Sequence, residues 1–562
     1  MDSRLVLAIF LWTALGCIAV YPALKKDPLS EAGWLKFFLL FSVALAFALP
    51  VWRFRSLSYN GEINVDESSI LAQAMRYLED PVPWRSVNGG SGGPLNTWVL
   101  LWAPLAGLKL SYSAARITGL ACTFLIVVPT ALGIREMVGN RFSLLLTLPM
   151  TLLLCCTLNL DFVHFSSEQL PSAMSAWAVW LILLQLRQAS LPRAFVLGLI
   201  TGAMPFTKLQ VAPAGIALFV AALLTTTIPI GLRSAKIRAG LLLAAGGLTV
   251  PAAILVPVAV CGAWSDFIEF YIMEGLRYRN TLAPTAPSAI DFLLRGSEDF
   301  KVYWTAFGAM ALACLCFRLF RSAGAWTQRA NRWVVAVICI TGYLLLMSHL
   351  ATRTGMGFPH YLMLLIAPVS MWAASCVADP EHFLARPITG QAENLSPRGH
   401  SPWLLTAVLF VLGLQTLTFR TIYKANPQFV RDWGNSVHPL VSVILEFAGP
   451  KDHMFVWGWA PKFHVLTGIP PATRFASNGL MTGSGDVPEL YHRRLREDLE
   501  KSKPRLILDA TEEFRWPTWP PGFLAGHQAM PELARITFSE YRQVKRIDIR
   551  PGGQPFIIFE RK

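Results

Sequence analysis

Charge is what this chain of 562 residues has least of. Only 15% of it is Asp, Glu, Lys or Arg, against about a quarter in soluble proteins. With 54% of the residues hydrophobic, that scarcity excludes an ordinary soluble domain. Disulfide staples are lacking too. The nine cysteines (Cys17, Cys122, Cys155, Cys156, Cys261, Cys314, Cys316, Cys339 and Cys376) all lie in or beside apolar runs. None follows Cys376, which excludes a disulfide framework and a Cys-based metal site from the last third of the chain. They read as small apolar packing residues. A basic n-region and a small-residue cleavage site are also missing from the start, so 4–22 reads as a retained span.

What is present is apolar sequence gathered into runs of about 17–22 residues, the length needed to cross a ~30 Å hydrocarbon layer. Spans are expected near 4–22, 35–52, 113–134, 142–160, 169–187, 194–209, 211–232, 239–260, 302–320, 333–352, 360–378 and 402–420. The expected fold is therefore mainly α, a polytopic membrane helix bundle of about 12 spans.

The formal net charge of +14 does not point to nucleic acid, because the cations sit in short loops between spans. Arg135/Arg141, Arg187/Arg193, Arg233/Lys236/Arg238 and Arg318/Arg321/Arg329/Arg332 share one side with Lys25/Lys26 and the 379–401 loop. The positive-inside rule makes that side cytoplasmic. The sequon Asn394-Leu395-Ser396 falls there too. The outer side then holds the 53–112 segment, the 161–168 turn, the 261–301 loop and everything after 420.

The expected organisation is a transmembrane domain, 1–420, whose 53–112 segment is the outer loop, and a periplasmic α/β domain, 421–562. In the latter, strand-like runs Met454–Trp457, Leu506–Leu508 and Phe556–Phe559 alternate with a charged helical segment, Leu490–Lys501. Within the outer loop, Ile70, Leu71, Ala74, Met75 and Leu78 share one face of a helix over 67–79, as an interfacial helix would. A breaker-rich stretch follows (Pro81, Pro83, Asn88, Gly89, Gly90, Gly92, Gly93, Pro94). The apolar run 95–110 reads as re-entrant or interfacial, because counting it as a span would invert the charge pattern of every later loop.

Asp66-Glu67 is the most informative pair. Two compatible roles fit Asp66: the N-cap of helix 67–79, or a carboxylate at the membrane surface that takes a proton from a hydroxyl nucleophile. Glu168 ends the sequence His164-Phe165-Ser166-Ser167-Glu168 at an outer span boundary, with Asp161 nearby. It is either a snorkelling acid or a second functional one. Lys208 interrupts an apolar stretch near the outer side and needs a counter-ion or an anionic ligand. Outer-side cations (Arg53, Arg55, Arg76, Arg85, Arg116, Arg277, Arg279, Arg295, Arg353) break the positive-inside pattern. Lipid headgroups or a phosphate-bearing ligand would both account for them. Arg277 and Arg279 stand out because they follow the aromatic segment Phe267–Tyr271.

In order along the chain, Asp66-Glu67, the interfacial helix, Gly93-Pro94-Leu95 and Tyr112-Ser113-Ala114-Ala115-Arg116 resemble membrane glycosyltransferases of the C superfamily. The likeness is to the protein O-mannosyltransferase and lipid A aminoarabinose transferase group, family 39-like. Phe358-Pro359-His360-Tyr361-Leu362 followed by Pro368 is similar to that group's Arg-Tyr-Leu-Leu-Pro stretch. The run Phe455-Val456-Trp457-Gly458-Trp459-Ala460-Pro461, with Pro471 to Arg474-Phe475, resembles the outer domain of bacterial relatives.

What this resemblance implies is an inverting hexosyl- or pentosyltransferase using a polyprenyl-phosphate sugar, with a glycan, lipid or protein hydroxyl as acceptor. Asp66 would be the general base, supported by Glu67, with Glu168 the second-loop acid. Lys208, Arg277, Arg279, His360 and Tyr361 would hold the donor phosphate. Three positions depart from the pattern: Gly92 and Gly93 replace a basic residue and a proline, and His360 replaces an arginine. No metal-ligand spacing is visible, so no metal is expected as a requirement. Membrane lipids are the other expected partners, and the expected location is a bacterial inner membrane. The competing readings are a transporter or flippase of lipid-linked sugars, against which stand the long outer loop and the lack of a repeat between halves, and a polymerase or ligase of such sugars.

Overall fold

The computed structural model describes residues 3–25, 29–157, 159–227, 233–281, 289–322, 328–353, 357–380, 402–425, 438–476, 488–511, 513, 526–548 and 555–562. The chain is a polytopic helical protein with a small C-terminal sheet. Among the described residues, each of the twelve expected spans coincides with a helix. Among the described residues, ten helices are long and apolar enough to cross a membrane. The other two, Ser143–Cys156 and Leu191–Phe206, are shorter apolar stretches. The loop 381–401, with its sequon, lies outside the described residues.

The chain divides into two compact units. One, here the membrane unit, comprises Met1–Leu57, Gly119–Ala252 and Leu282–Trp433. The other, called the outer unit after the side on which its loops are expected, comprises Ser58–Thr118, Ala253–Thr281 and Gly434–Lys562. The first outer loop and the C-terminal domain thus belong to one body, together with residues 253–281.

In the membrane unit, the apolar window of Pro359–Val377 is completely buried. It is tied to its neighbours by polar side chains, which in a lipid setting replace absent water. Tyr303 donates to the Ile366 carbonyl at 2.7 Å, Trp333 Nε1 to the Ser375 carbonyl at 2.8 Å, and Trp372 Nε1 to Thr341 Oγ1 at 3.1 Å. Small residues let two other helices touch backbone to backbone. A Cβ at Gly202, in Leu191–Ala203, would lie 2.2 Å from the Gly247 carbonyl of Arg233–Val260, and one at Gly246 would lie 2.1 Å from the Phe195 carbonyl. Backbone cannot yield as a side chain can. Gly202→Val is therefore expected to cost roughly 1–3 kcal/mol or more, seen as a lower unfolding temperature of the detergent-solubilised chain. Gly240→Val, whose Cβ would meet only Leu223 Cδ1 at 3.8 Å, should cost much less.

The outer unit carries a four-stranded sheet in the order β1-β2-β4-β3. Its strands are β1 (Met454–Trp457), β2 (Leu506–Asp509), β3 (Tyr541–Ile547) and β4 (Phe556–Arg561). β1 and β2 are parallel, with Met454 opposite Leu506; β4 runs antiparallel to both β2 and β3. Met454, Val456, Leu506, Leu508, Phe556 and Ile558 bury one face against Leu440, Ile444 and Phe463. The expected helix over 490–501 is Glu489–Ser502, burying Tyr491, Leu495 and Leu499.

In the first outer loop the helix is Val65–Tyr77, beginning two residues before the expected 67. Asn64, not Asp66, is its N-cap: its extended backbone lets its side chain accept the Asp66 N–H at 2.9 Å. Asp66 sits one step further in, where an acid still favours the positive end of the helix. Ile70, Leu71 and Ala74 are buried within the protein, while Leu78 is exposed. The run 95–110 forms only short helices, Pro94–Trp98 and Trp102–Leu105, and displays Leu105 and Leu108 on the surface. Neither helix approaches the length of a span.

Candidate active site

The candidate site residues fall into two groups, one in each unit. In the outer unit the acidic pair is divided between two environments. Glu67 is completely buried and meets the equally buried guanidinium of Arg116 in a two-pronged pair, Nε to Oε1 at 3.0 Å and Nη2 to Oε2 at 2.7 Å. The planar fork of Arg suits this geometry. Arg116 also donates to the carbonyls of Tyr59 at 2.5 Å and Gly61 at 2.6 Å, and lies 5.2 Å from the Tyr112 ring. It therefore shapes the 59–67 turn. Asp66, one residue away, is only partly buried.

The same turn contains Glu62, which the sequence reading passed over. Its Oε2 is buried and has no hydrogen-bond partner. Burial pushes the Glu62 carboxyl up, with the Lys462 ammonium opposing that shift. Lys462 pairs with Glu513, which His438 Nε2 also approaches at 3.5 Å. Lys462 follows directly on the Trp457–Pro461 run, so that motif ends beside the first outer loop within this unit. The only signal for Glu62 in the sequence was an extra acid four residues before Asp66.

In the membrane unit Glu168, Lys208, His360 and Tyr361 come together. Lys208 pairs with Glu168, donates to Ser167 Oγ at 2.9 Å, and stands 4.7 Å from the centre of the Tyr361 ring. The counter-ion that an intramembrane lysine requires is thus supplied by Glu168. Both side chains are almost wholly buried. Burial pushes the Glu168 carboxyl up, but Lys208 and His360 outweigh it and hold the group well below the usual carboxylate range. His360 lies between two acids, Nδ1 3.7 Å from Asp161 Oδ2 and Nε2 4.0 Å from Glu168 Oε1. Its ring stacks on Phe358 at 5.4 Å. The lysine is delivered by a break in the helix: Leu191–Ala203 ends in the turn Met204–Phe206, and Lys208 takes an extended backbone before the next turn starts.

Arg277 belongs to the outer unit, partly exposed and paired with Glu269. The backbone of Arg279 lies in the same helix, Glu274–Thr281, and its side chain is outside the described residues. Among the described residues no group of three or more His, Cys, Asp or Glu is arranged to hold a metal ion.

No known protein family matches the sequence, and no curated protein does. Among solved structures the chain is similar to an oligosaccharyltransferase from Archaeoglobus fulgidus, solved with a tethered acceptor peptide. That likeness has 12% identity and a TM-score of 0.40, covering 98% of this chain and 74% of the other. It is also similar to ArnT from Cupriavidus metallidurans in the apo state. There the identity is 14% and the TM-score 0.40, over 94% of this chain and 98% of the other.

Proposed function

We propose that this chain is an inverting glycosyltransferase that moves a sugar from a polyprenyl-phosphate carrier to a hydroxyl acceptor at the periplasmic face of a bacterial inner membrane. The observation that carries the reading is the division of labour in the acidic pair. Glu67 is sealed against Arg116, while Asp66 stays partly open on a turn that this ion pair holds in shape. A general base must be reachable by the proton it takes and rigidly presented.

In this reaction Asp66 accepts the proton of the acceptor hydroxyl as its oxygen bonds to the anomeric carbon. The bond from that carbon to the phosphate oxygen breaks on the opposite side, and the carrier phosphate leaves with the electron pair. Leaving-group charge is stabilised by cations already in place. Lys208, with Tyr361 and His360 beside it, is assigned to the phosphate, and Glu168 pairs with the lysine and orients it in the free protein. Arg277 and Arg279 are further candidate anion-binding groups, carried by the outer unit.

The test is transfer by the full chain in lipid nanodiscs, supplied with polyprenyl-phosphate-linked hexoses and pentoses and a panel of hydroxyl acceptors. Lys208→Met alone would strand a buried Glu168, so it is combined with Glu168→Gln. The double variant is expected to fold and to raise the donor KM on the order of tenfold, the scale of a lost charged hydrogen bond. An unchanged KM would return the pair to a purely structural role. Carriage of the lipid-linked sugar across the bilayer without transfer would replace the enzyme with a transporter.

A further inference from the structure

A partly buried acid of the outer unit, Glu274, is used by neither of the groups above. It opens the helix Glu274–Thr281, directly after the π-helical turn Ile268–Met273 that continues Trp264–Phe267. Such turns insert one extra residue and are frequent at functional positions. Its Oε2 accepts the Tyr491 hydroxyl, from the helix Glu489–Ser502, and the Asn88 side-chain N–H at 3.4 Å. Asn88 in turn accepts the Gly90 N–H through Oδ1 at 2.9 Å. Gly90 has φ +58°, and a Cβ there would lie 3.1 Å from Glu274 Oε1. One carboxyl group thus presses on the glycine-rich stretch Asn88–Gly93 from beneath and holds it through the Asn88 amide. Asn88 is also tied through its backbone. The Asn88 N–H donates to the Arg474 carbonyl at 2.7 Å, and Arg474 is clamped by Asp266 and Asp498.

We propose that Glu274 is a positioning residue that sets the glycine-rich stretch 88–93 in a proton-dependent way, binding it while protonated and releasing it when ionised. Tyr491 and Asn88 reach the Glu274 carboxyl from neighbouring elements, Arg277 from its own helix, and Glu269 from the preceding turn. Burial, reinforced by Glu269, outweighs the Tyr491 and Asn88 bonds and Arg277, and raises the group to about 7. The sign follows from linkage. In the held state the carboxyl is raised, whereas in a released, hydrated state it returns toward the ordinary carboxylate range. The held state therefore binds the proton more tightly, and its advantage is lost as pH rises through about 7. The consequence for catalysis rests on the transferase reading, in which Gly92-Gly93-Pro94-Leu95 takes the place of a donor-contacting run. Under that reading, transfer falls on the alkaline side as the stretch is released.

The test is hydrogen–deuterium exchange of the 86–93 backbone in the full chain in detergent, expressed as protection relative to intrinsic rates at each pH. Wild-type protection is expected to fall about tenfold between pH 6 and pH 8. In Glu274→Gln, neutral at every pH and still able to accept the Tyr491 hydroxyl, the fall should vanish. Tyr491→Phe removes a bond that favours the ionised form, so its midpoint should move to higher pH. The same pH dependence in wild type and Glu274→Gln, or none in wild type, overturns the proposal. Should Glu274→Gln fail to fold, an unmoved midpoint in Tyr491→Phe overturns it instead. Where transfer is measurable, Glu274→Gln should abolish an alkaline limb and leave any acid limb in place. Absence of transfer with every donor would sink the proposed function, and the exchange result would still decide the role of Glu274.

Discussion

Asp66→Asn is expected to lower turnover by a factor on the order of 10²–10⁴, with expression and unfolding temperature unchanged. The substitution keeps the shape of the side chain, and the helix loses no cap because Asn64 supplies that bond. What disappears is the ability to take the acceptor proton. Donor affinity should hold, since the assigned phosphate contacts are other residues. Single-turnover kinetics with saturating donor separate the two effects. Full transfer by the variant would end the assignment of Asp66 as base.

Arg116→Met should instead strike at folding. Removing one member of a buried ion pair leaves the other charge stranded, and such losses run to about 3–5 kcal/mol. Here the stranded group is Glu67, and the carbonyls of Tyr59 and Gly61 lose their donor as well. A markedly lower unfolding temperature is the expected result, with loss of transfer following from it. Pairing the change with Glu67→Gln should recover part of the stability, because no charge is then left uncompensated. A single variant as stable as wild type would show that the ion pair does not hold the turn. Together the two experiments test the division proposed for the neighbours Asp66 and Glu67, one assigned to chemistry and the other to architecture.

That separation was not legible in the sequence. Asp66 and Glu67 are adjacent acids in one first turn, and local arguments treat them alike. Which of them is sealed depends on Arg116, 49 residues away in sequence. Lys208 is a similar case: its cost in an apolar stretch is obvious from composition, but its partner Glu168 lies 40 residues earlier on another helix. Glu274 is the extreme one. Its bond to Asn88 spans 186 residues, and nothing near either residue advertises the other. Strand β3 was missed for a different reason. It is an edge strand whose Arg542, Gln543, Lys545 and Arg546 are exposed, so it lacks the apolar run that marked the other three strands.

Hydrophobicity alone placed the twelve apolar helices, ten of which among the described residues are long enough to cross a membrane, because crossing a hydrocarbon layer requires about 20 apolar residues whatever the neighbours are. The same holds for β1, β2 and β4, short apolar runs that have to be buried somewhere. The helix of the first outer loop was also expected, but its start came two residues earlier, with Asn64 in place of Asp66 as cap. Only the tertiary structure decided that the first outer loop, residues 253–281 and the C-terminal domain form one unit. It alone decided that Glu67 is locked, that Lys208 is paired, and that Glu274 underlies the glycine-rich stretch. The physical reason is the range of the forces. Burial propensity and capping are properties of a few consecutive residues, whereas the state of a buried charge is set by whichever group the fold brings within about 4 Å of it.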